Sequence, residues 1–169
     1  MKNYLLILFL ISSSLHSQNI NELKKFALRD AKAVSNASIK KDATTIIKYT
    51  HPKIIQKYGQ TEVKEIIEQV YKTMSAQKIK IVSSEIDEVS EIRKEKKEYR
   101  SLVKNTIKMD FNGRPITLKS SLFGFYDKKK QQWYFIESNK LLNDPETKKL
   151  FSDFKTEIKI PEDEQIANN

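Results

Sequence analysis

From Tyr99 to Glu137 the chain alternates in character from one residue to the next, and this alternation constrains the fold more than any other feature. Tyr99, Val103, Ile107, Met109 and Phe111 are apolar or aromatic, with Arg100, Lys104, Lys108 and Asp110 between them. A period of two is that of an extended strand, whose successive side chains leave on opposite faces. Asn112-Gly113 comes next, the pair that best tolerates the two positive φ angles of a tight hairpin. Ile116, Leu118 and Leu122 then continue the alternation. A two-residue loop sets Phe111 opposite Arg114. Counting outward pairs Met109 with Ile116, Ile107 with Leu118, Asn105 with Ser120, Val103 with Leu122 and Tyr99 with Tyr126. The apolar members of both strands then share one face, which supports the register.

A second turn is expected at residues 127–132 and a last strand at 133–138. If that turn is also even in length, Tyr126 meets Trp133, Gly124 meets Phe135 and Leu122 meets Glu137. The inner face then carries a polar island of Ser101, Asn105, Ser120 and Glu137 in an apolar surround. The other face carries Leu102, Phe123, Phe125, Tyr134 and Ile136. A patch of that size needs cover, from a C-terminal helix or from a second subunit.

Upstream the period is helical. Residues 21–38 place Leu23, Ala27, Ala31 and Val34 on one stripe. Asp42 reads as the N-cap of a short helix carrying Ile46, Ile47 and Tyr49, stopped by His51-Pro52 because the residue before proline avoids helical geometry. A third helix, capped by Thr61, aligns Val63, Ile66, Ile67, Val70 and Met74. Ile79 and Ile81 begin a strand, and residues 93–98 read as a charged turn. Asp144-Pro145-Glu146 marks a further helix start, with Leu150, Phe151 and Phe154 as its apolar side. Residues 161–169 read as a polar, flexible tail. Helices first and a curved antiparallel meander after them is an α+β order.

Residues 1–17 read MKNYLLILFLISSSLHS. One lysine, an unbroken apolar run from Leu5 to Ile11 and a short stretch of small polar residues have the layout of an export signal. The run is shorter than the roughly 20 residues that span a bilayer as a helix. The expected organisation is therefore a signal at 1–17, one domain at 18–160 and the tail. The expected location is periplasmic or secreted, in a bacterium by residue usage. The chain has no cysteine, which excludes disulfides, thiol chemistry and a lipid anchor on cysteine. With 3 Gly it has no glycine-rich phosphate loop, and no cofactor motif is found.

The block IKKDATTIIKYTHPKIIQKYG, the helix TEVKEIIEQVYKTM and the strand WYFIES together resemble the nuclear transport factor 2-like superfamily, the cystatin-like cone fold. Asp42, Ile46, Ile47, Tyr49 and His51-Pro52 carry the resemblance, over about residues 21–142. Lys53 departs from the aspartate that the family often has after His-Pro. The resemblance implies a cone-shaped cavity between the helices and a concave sheet, and frequent homodimers through the outer sheet face. It implies no single function, since members include isomerases, cyclases, dehydratases and non-catalytic binders.

Within that frame, Tyr99, Ser101, Asn105, Ser120, Tyr126, Trp133 and Glu137 are expected to line a pocket for a small apolar or amphipathic ligand. The three aromatic residues have an alternative reading as core. Glu137, if held in an apolar cavity, is a candidate general acid or base for a hydrolyase or isomerase, because burial disfavours a carboxylate. A surface glutamate at a strand end is the other reading. His51, the one histidine beyond residue 17, is either a base near neutral pH or part of the turn that ends its helix. One histidine and no cysteine make a transition-metal site unexpected. The net charge of +9 raises nucleic-acid binding, but the lysines are spread along the chain and no nucleic-acid motif is found, so no such partner is expected. A protein-interaction module, acting through the outer sheet face, is the remaining alternative.

Overall fold

In the computed structural model the described side chains run from Asn19 to Ile166. The export signal expected at 1–17 lies outside them. The helices come first: α1 (Lys2–Lys40), α2 (Ala43–Tyr49), α3 (Pro52–Tyr58) and α4 (Gln60–Ala76). Strands β1 (Ile79–Val89), β2 (Arg93–Glu95), β3 (Glu98–Phe111), β4 (Arg114–Asp127) and β5 (Gln132–Glu137) follow. Two short helices, α5 (Ser138–Asn143) and α6 (Pro145–Leu150), and a last strand, β6 (Glu164–Ala167), complete the chain. The helices pack on a curved, unclosed antiparallel sheet, an α+β fold.

The sheet runs β1-β3-β4-β5, with β2 on β3 and β6 on β4. Its centre has the register that the alternation dictates. Phe111 faces Arg114, Asn105 faces Ser120 and Val103 faces Leu122. Asn112 and Gly113 take φ of 52° and 86°, both positive, as the tight hairpin requires. The second turn is even, so Tyr126 meets Trp133 and Leu122 meets Glu137. Asp127 holds that turn by accepting the Lys129 and Lys130 N–H groups at 2.8 and 3.2 Å.

The inner face of the sheet is filled at one end. Leu23, Ala27 and Ala31 of α1 bury against Val89, Val103, Trp133 and Phe135. Two alanines on the helix stripe let its backbone lie close to the sheet. A carboxylate sits in the same contact. Asp30 is fully buried, accepts the Trp133 N–H at 2.8 Å and accepts Arg29 Nε at 2.7 Å. The Trp133 indole N–H donates to the Leu23 carbonyl at 3.1 Å. Helix α1 and strand β5 are thereby joined by directional bonds as well as by packing. Gly124 makes room for the indole: a Cβ there would stand 2.9 Å from Trp133 Cε3. Gly124→Ala is expected to lose about 1–3 kcal/mol by overpacking. Urea denaturation reads this loss, and an unchanged midpoint would contradict the close approach.

The outer patch is covered by the chain itself. Leu102, Phe123, Phe125 and Ile136 are buried with Leu141, Phe151 and Ile158, and Tyr134 is buried too. The cover differs from the single C-terminal helix expected. Helix α6 stops at Leu150, and Phe151 and Phe154 pack from the turn and extended segment beyond it. Four other expectations are corrected. Pro52 ends α2 but also starts α3, as its first residue, because proline lacks only an N–H that the first turn leaves unused. Helix α4 begins at Gln60 with Gly59 as its N-cap, so Thr61 lies inside the helix. Residues 93–98 form a paired hairpin, β2 with β3. The polar tail is partly ordered, with 164–167 pairing onto β4 from Lys119 to Ile116.

Candidate functional site

The clearest amphipathic helix of the chain does not pack tightly. Helix α4 has 17 residues and one buried side chain, Val63. Ile66 and Val70, on its apolar face, are each 52% exposed. They border a cavity of about 390 Å³ between α1, α2, α4 and the inner face of β1, β3 and β4. Ile46, Ile67 and Met74 line its helical side, and Ile81, Ile107 and Leu118 line the sheet opposite. Tyr71 borders it as well, and burial pushes its phenol up from the usual value.

Besides Tyr71 and the hydroxyls of Ser35, Ser38, Ser84 and Ser121, the last buried without a partner among the described residues, the polar residues of the cavity form two groups. Asn105 and Ser120, the cross-strand pair, lie on its wall, and Ser120 Oγ donates to Asn105 Oδ1 at 3.0 Å. Asn105 is only 5% exposed. The second group, Glu137, Lys140 and Asp163, borders the cavity where it reaches the edge of the sheet. On that edge β5 pairs with β4 down to Leu122 and β6 begins at Lys119. Ser120 and Ser121 lie between the two, with no strand partner on that side among the described residues.

The structure separates the expected pocket residues. Asn105, Ser120 and Glu137 border the cavity. Tyr99, Ser101, Tyr126 and Trp133 do not. Trp133 is fully buried under α1, and Tyr99 and Tyr126 pack against the same core, with rings 6.4 Å apart in an edge contact. These aromatic residues are core. Ser101 is fully buried and its hydroxyl lies 3.3 Å from that of Ser90, which in turn accepts the Leu102 N–H. It fastens Ser90, the residue after β1, to β3.

Glu137 has the register expected and a different environment. The chain leaves the sheet at this residue, which is the N-cap of α5. The carboxylate is 60% exposed and pairs with Lys140 at 3.3 Å. Burial, the physical basis for a general acid or base at this position, is missing. His51 is also structural in its contacts. It is the N-cap of α3, where Nδ1 accepts the Lys53 N–H at 3.1 Å. Its ring meets Phe125 and Phe151 edge-on at 4.6 and 4.9 Å. Burial, helped by the charges of Lys53 and Arg100, lowers its pKa from 6.5 to about 4. It lies on the outer side, away from the cavity lining.

Two buried charged residues were not expected. Asp30 had a signal: it interrupts the helical stripe between Ala27 and Val34. Arg100 is the other. Its guanidinium bonds Glu98 at 2.6 Å, Glu95 at 3.0 Å and the Lys155 carbonyl at 2.7 Å, and it lies over the rings of Phe125 and Phe154. Among the described residues no group of three or more His, Cys, Asp or Glu is placed to hold a metal ion. No described helix is long and apolar enough to cross a membrane. Comparison of the sequence with models of known protein families and with curated proteins finds no match.

Proposed function

We propose that this protein binds a small, mostly apolar molecule in the cavity between helix and sheet, without chemical turnover, and that it does so after export. The observation that carries this reading is the apolar face of α4, which borders unfilled space instead of packed core. Leaving two aliphatic side chains half-exposed forgoes about 1 kcal/mol or more each, a cost that a bound apolar molecule would recover. The size falls within the usual range for small-molecule pockets, about 300–1,000 Å³. The cone-fold resemblance supports the same place for a ligand.

The test is titration with the neutral fluorescent dye N-phenyl-1-naphthylamine. The protein is expected to enhance its emission saturably. Ile107→Trp, which fills the cavity from the sheet side, is expected to weaken the response at least tenfold while leaving the circular dichroism spectrum unchanged. Equal response from the filled variant would show that the dye binds elsewhere and would remove the reading.

A further inference from the structure

The proposed ligand can be narrowed, on the reading just given, by the polar groups that the cavity wall presents. Asn105 makes one side-chain hydrogen bond, at Oδ1, from Ser120. No described side chain or carbonyl accepts from its Nδ2, and that nitrogen is not one of the fully buried unpartnered atoms, which among the described residues are Ser121 Oγ and Ser138 Oγ. Asn105 borders the cavity, so its amide N–H is a donor that a molecule in the cavity can reach. Ile86, Ile107, Leu118 and Leu122 of the lining are aliphatic; of its hydroxyls, Ser35 and Ser38 donate to backbone carbonyls, and Ser121 Oγ has no partner among the described residues.

The charges sit elsewhere. The ionisable carboxylates and ammonium of the lining, Glu137, Lys140 and Asp163, lie at the sheet edge. Glu137 and Lys140 pair with each other, and Asp163 accepts from Asn139 Nδ2 at 3.1 Å. A charged group carried inward to Asn105 would lose its hydration and gain no counter-ion. An uncharged acceptor would meet an amide N–H within the wall that it can reach. The volume of about 390 Å³, at about 30 Å³ for each water-sized atom, holds roughly a dozen non-hydrogen atoms.

We infer that the cavity takes an uncharged aliphatic molecule of about that size with one carbonyl-type acceptor, which accepts a hydrogen bond from Asn105 Nδ2 while its hydrocarbon part lies along Ile66, Ile67, Val70 and Met74. Ser120 holds the amide in place from its other end.

Eight-carbon probes test this, each displacing N-phenyl-1-naphthylamine: octane, 2-octanone and octanoate at pH 8. Asn105→Leu is expected to weaken 2-octanone about tenfold and to leave octane as tight or tighter. Octanoate is expected to bind more weakly than the ketone. An equal response of ketone and alkane to the substitution overturns the assignment, and so does tighter binding of octanoate. If Asn105→Leu does not fold, infrared spectra of carbonyl-labelled 2-octanone on the unaltered chain decide. The carbonyl stretch is expected below its position in hexane, and an unshifted band overturns the hydrogen bond. Dye binding that none of the probes displaces also overturns this assignment, while leaving the cavity reading intact. Absence of dye binding altogether removes that reading first.

Discussion

Arg100→Ala is expected to destabilise the protein by about 3–5 kcal/mol, the usual loss when one partner of a buried ion pair is removed. The guanidinium is 5% exposed and Glu95 11% exposed, so water does little to replace the bonds. Glu95 also accepts the Glu157 N–H at 2.9 Å and the Thr156 hydroxyl at 3.0 Å. Burial works against its carboxylate, but these two bonds and Arg100 outweigh it and hold the carboxyl below the usual range. Arg100 and Glu95 together thus fasten residues 155–157 to the β2–β3 hairpin, and with them the segment that covers Phe123 and Phe125. Arg100→Ala leaves a carboxylate in a site built for a pair and frees that cover. The double variant Arg100→Met, Glu95→Leu is expected to regain much of the loss, because apolar replacement of both partners avoids the stranded charge. Guanidinium denaturation of the three proteins measures this. A loss under 1 kcal/mol for Arg100→Ala would show that the network is dispensable.

Acid is expected to weaken the fold through His51. Its folded pKa of about 4 lies below the ordinary 6.5, so the unfolded chain takes up the proton first. The stabilisation is complete above pH 6.5, declines as pH falls from 6.5 to 4 and is gone below that. A difference of that size corresponds to at most about 3 kcal/mol, less what the partly exposed ring edge gives back. Protonation would also place a cation beside Lys53 and Arg100 and occupy the Nδ1 lone pair that caps α3. His51→Asn keeps a good cap residue and removes the titration. Its stability is expected to change little between pH 7 and 4.5, whereas the unaltered chain loses on the order of 2 kcal/mol. Parallel curves for the two proteins over that interval would rule out His51 as the source.

The centre of the sheet was legible because two independent signals agree there. The alternation from Tyr99 to Leu122 sets which face is apolar, and Asn112-Gly113 sets the register; either alone leaves a one-residue slip open. The pairing of Asn105 with Ser120, on which the candidate site rests, follows from both. Glu137 shows the limit of that reasoning. Its opposite number, Leu122, was legible, but the chain leaves the sheet at Glu137 and the alternation carries no record of where a strand stops. The aromatic residues Tyr99, Tyr126 and Trp133 share an apolar face with the cavity wall, and periodicity does not say which end of that face α1 will cover. Arg100 was illegible for another reason. Its partners include the Lys155 carbonyl, 55 positions away, and no local pattern announces a contact made through a backbone oxygen. Strand β6 is held by main-chain pairing on an edge and by Lys119 with Glu164, which leaves no hydrophobic signature in a polar tail.

The directional link from Asp30 to Trp133 has a further consequence. Because α1 is pinned to β5 at one end of the sheet, the fully buried side chains that hold the inner face there are not those that line the cavity. The remaining end is released from that duty. Substitutions in its aliphatic wall would alter what the cavity accommodates while leaving that foundation in place.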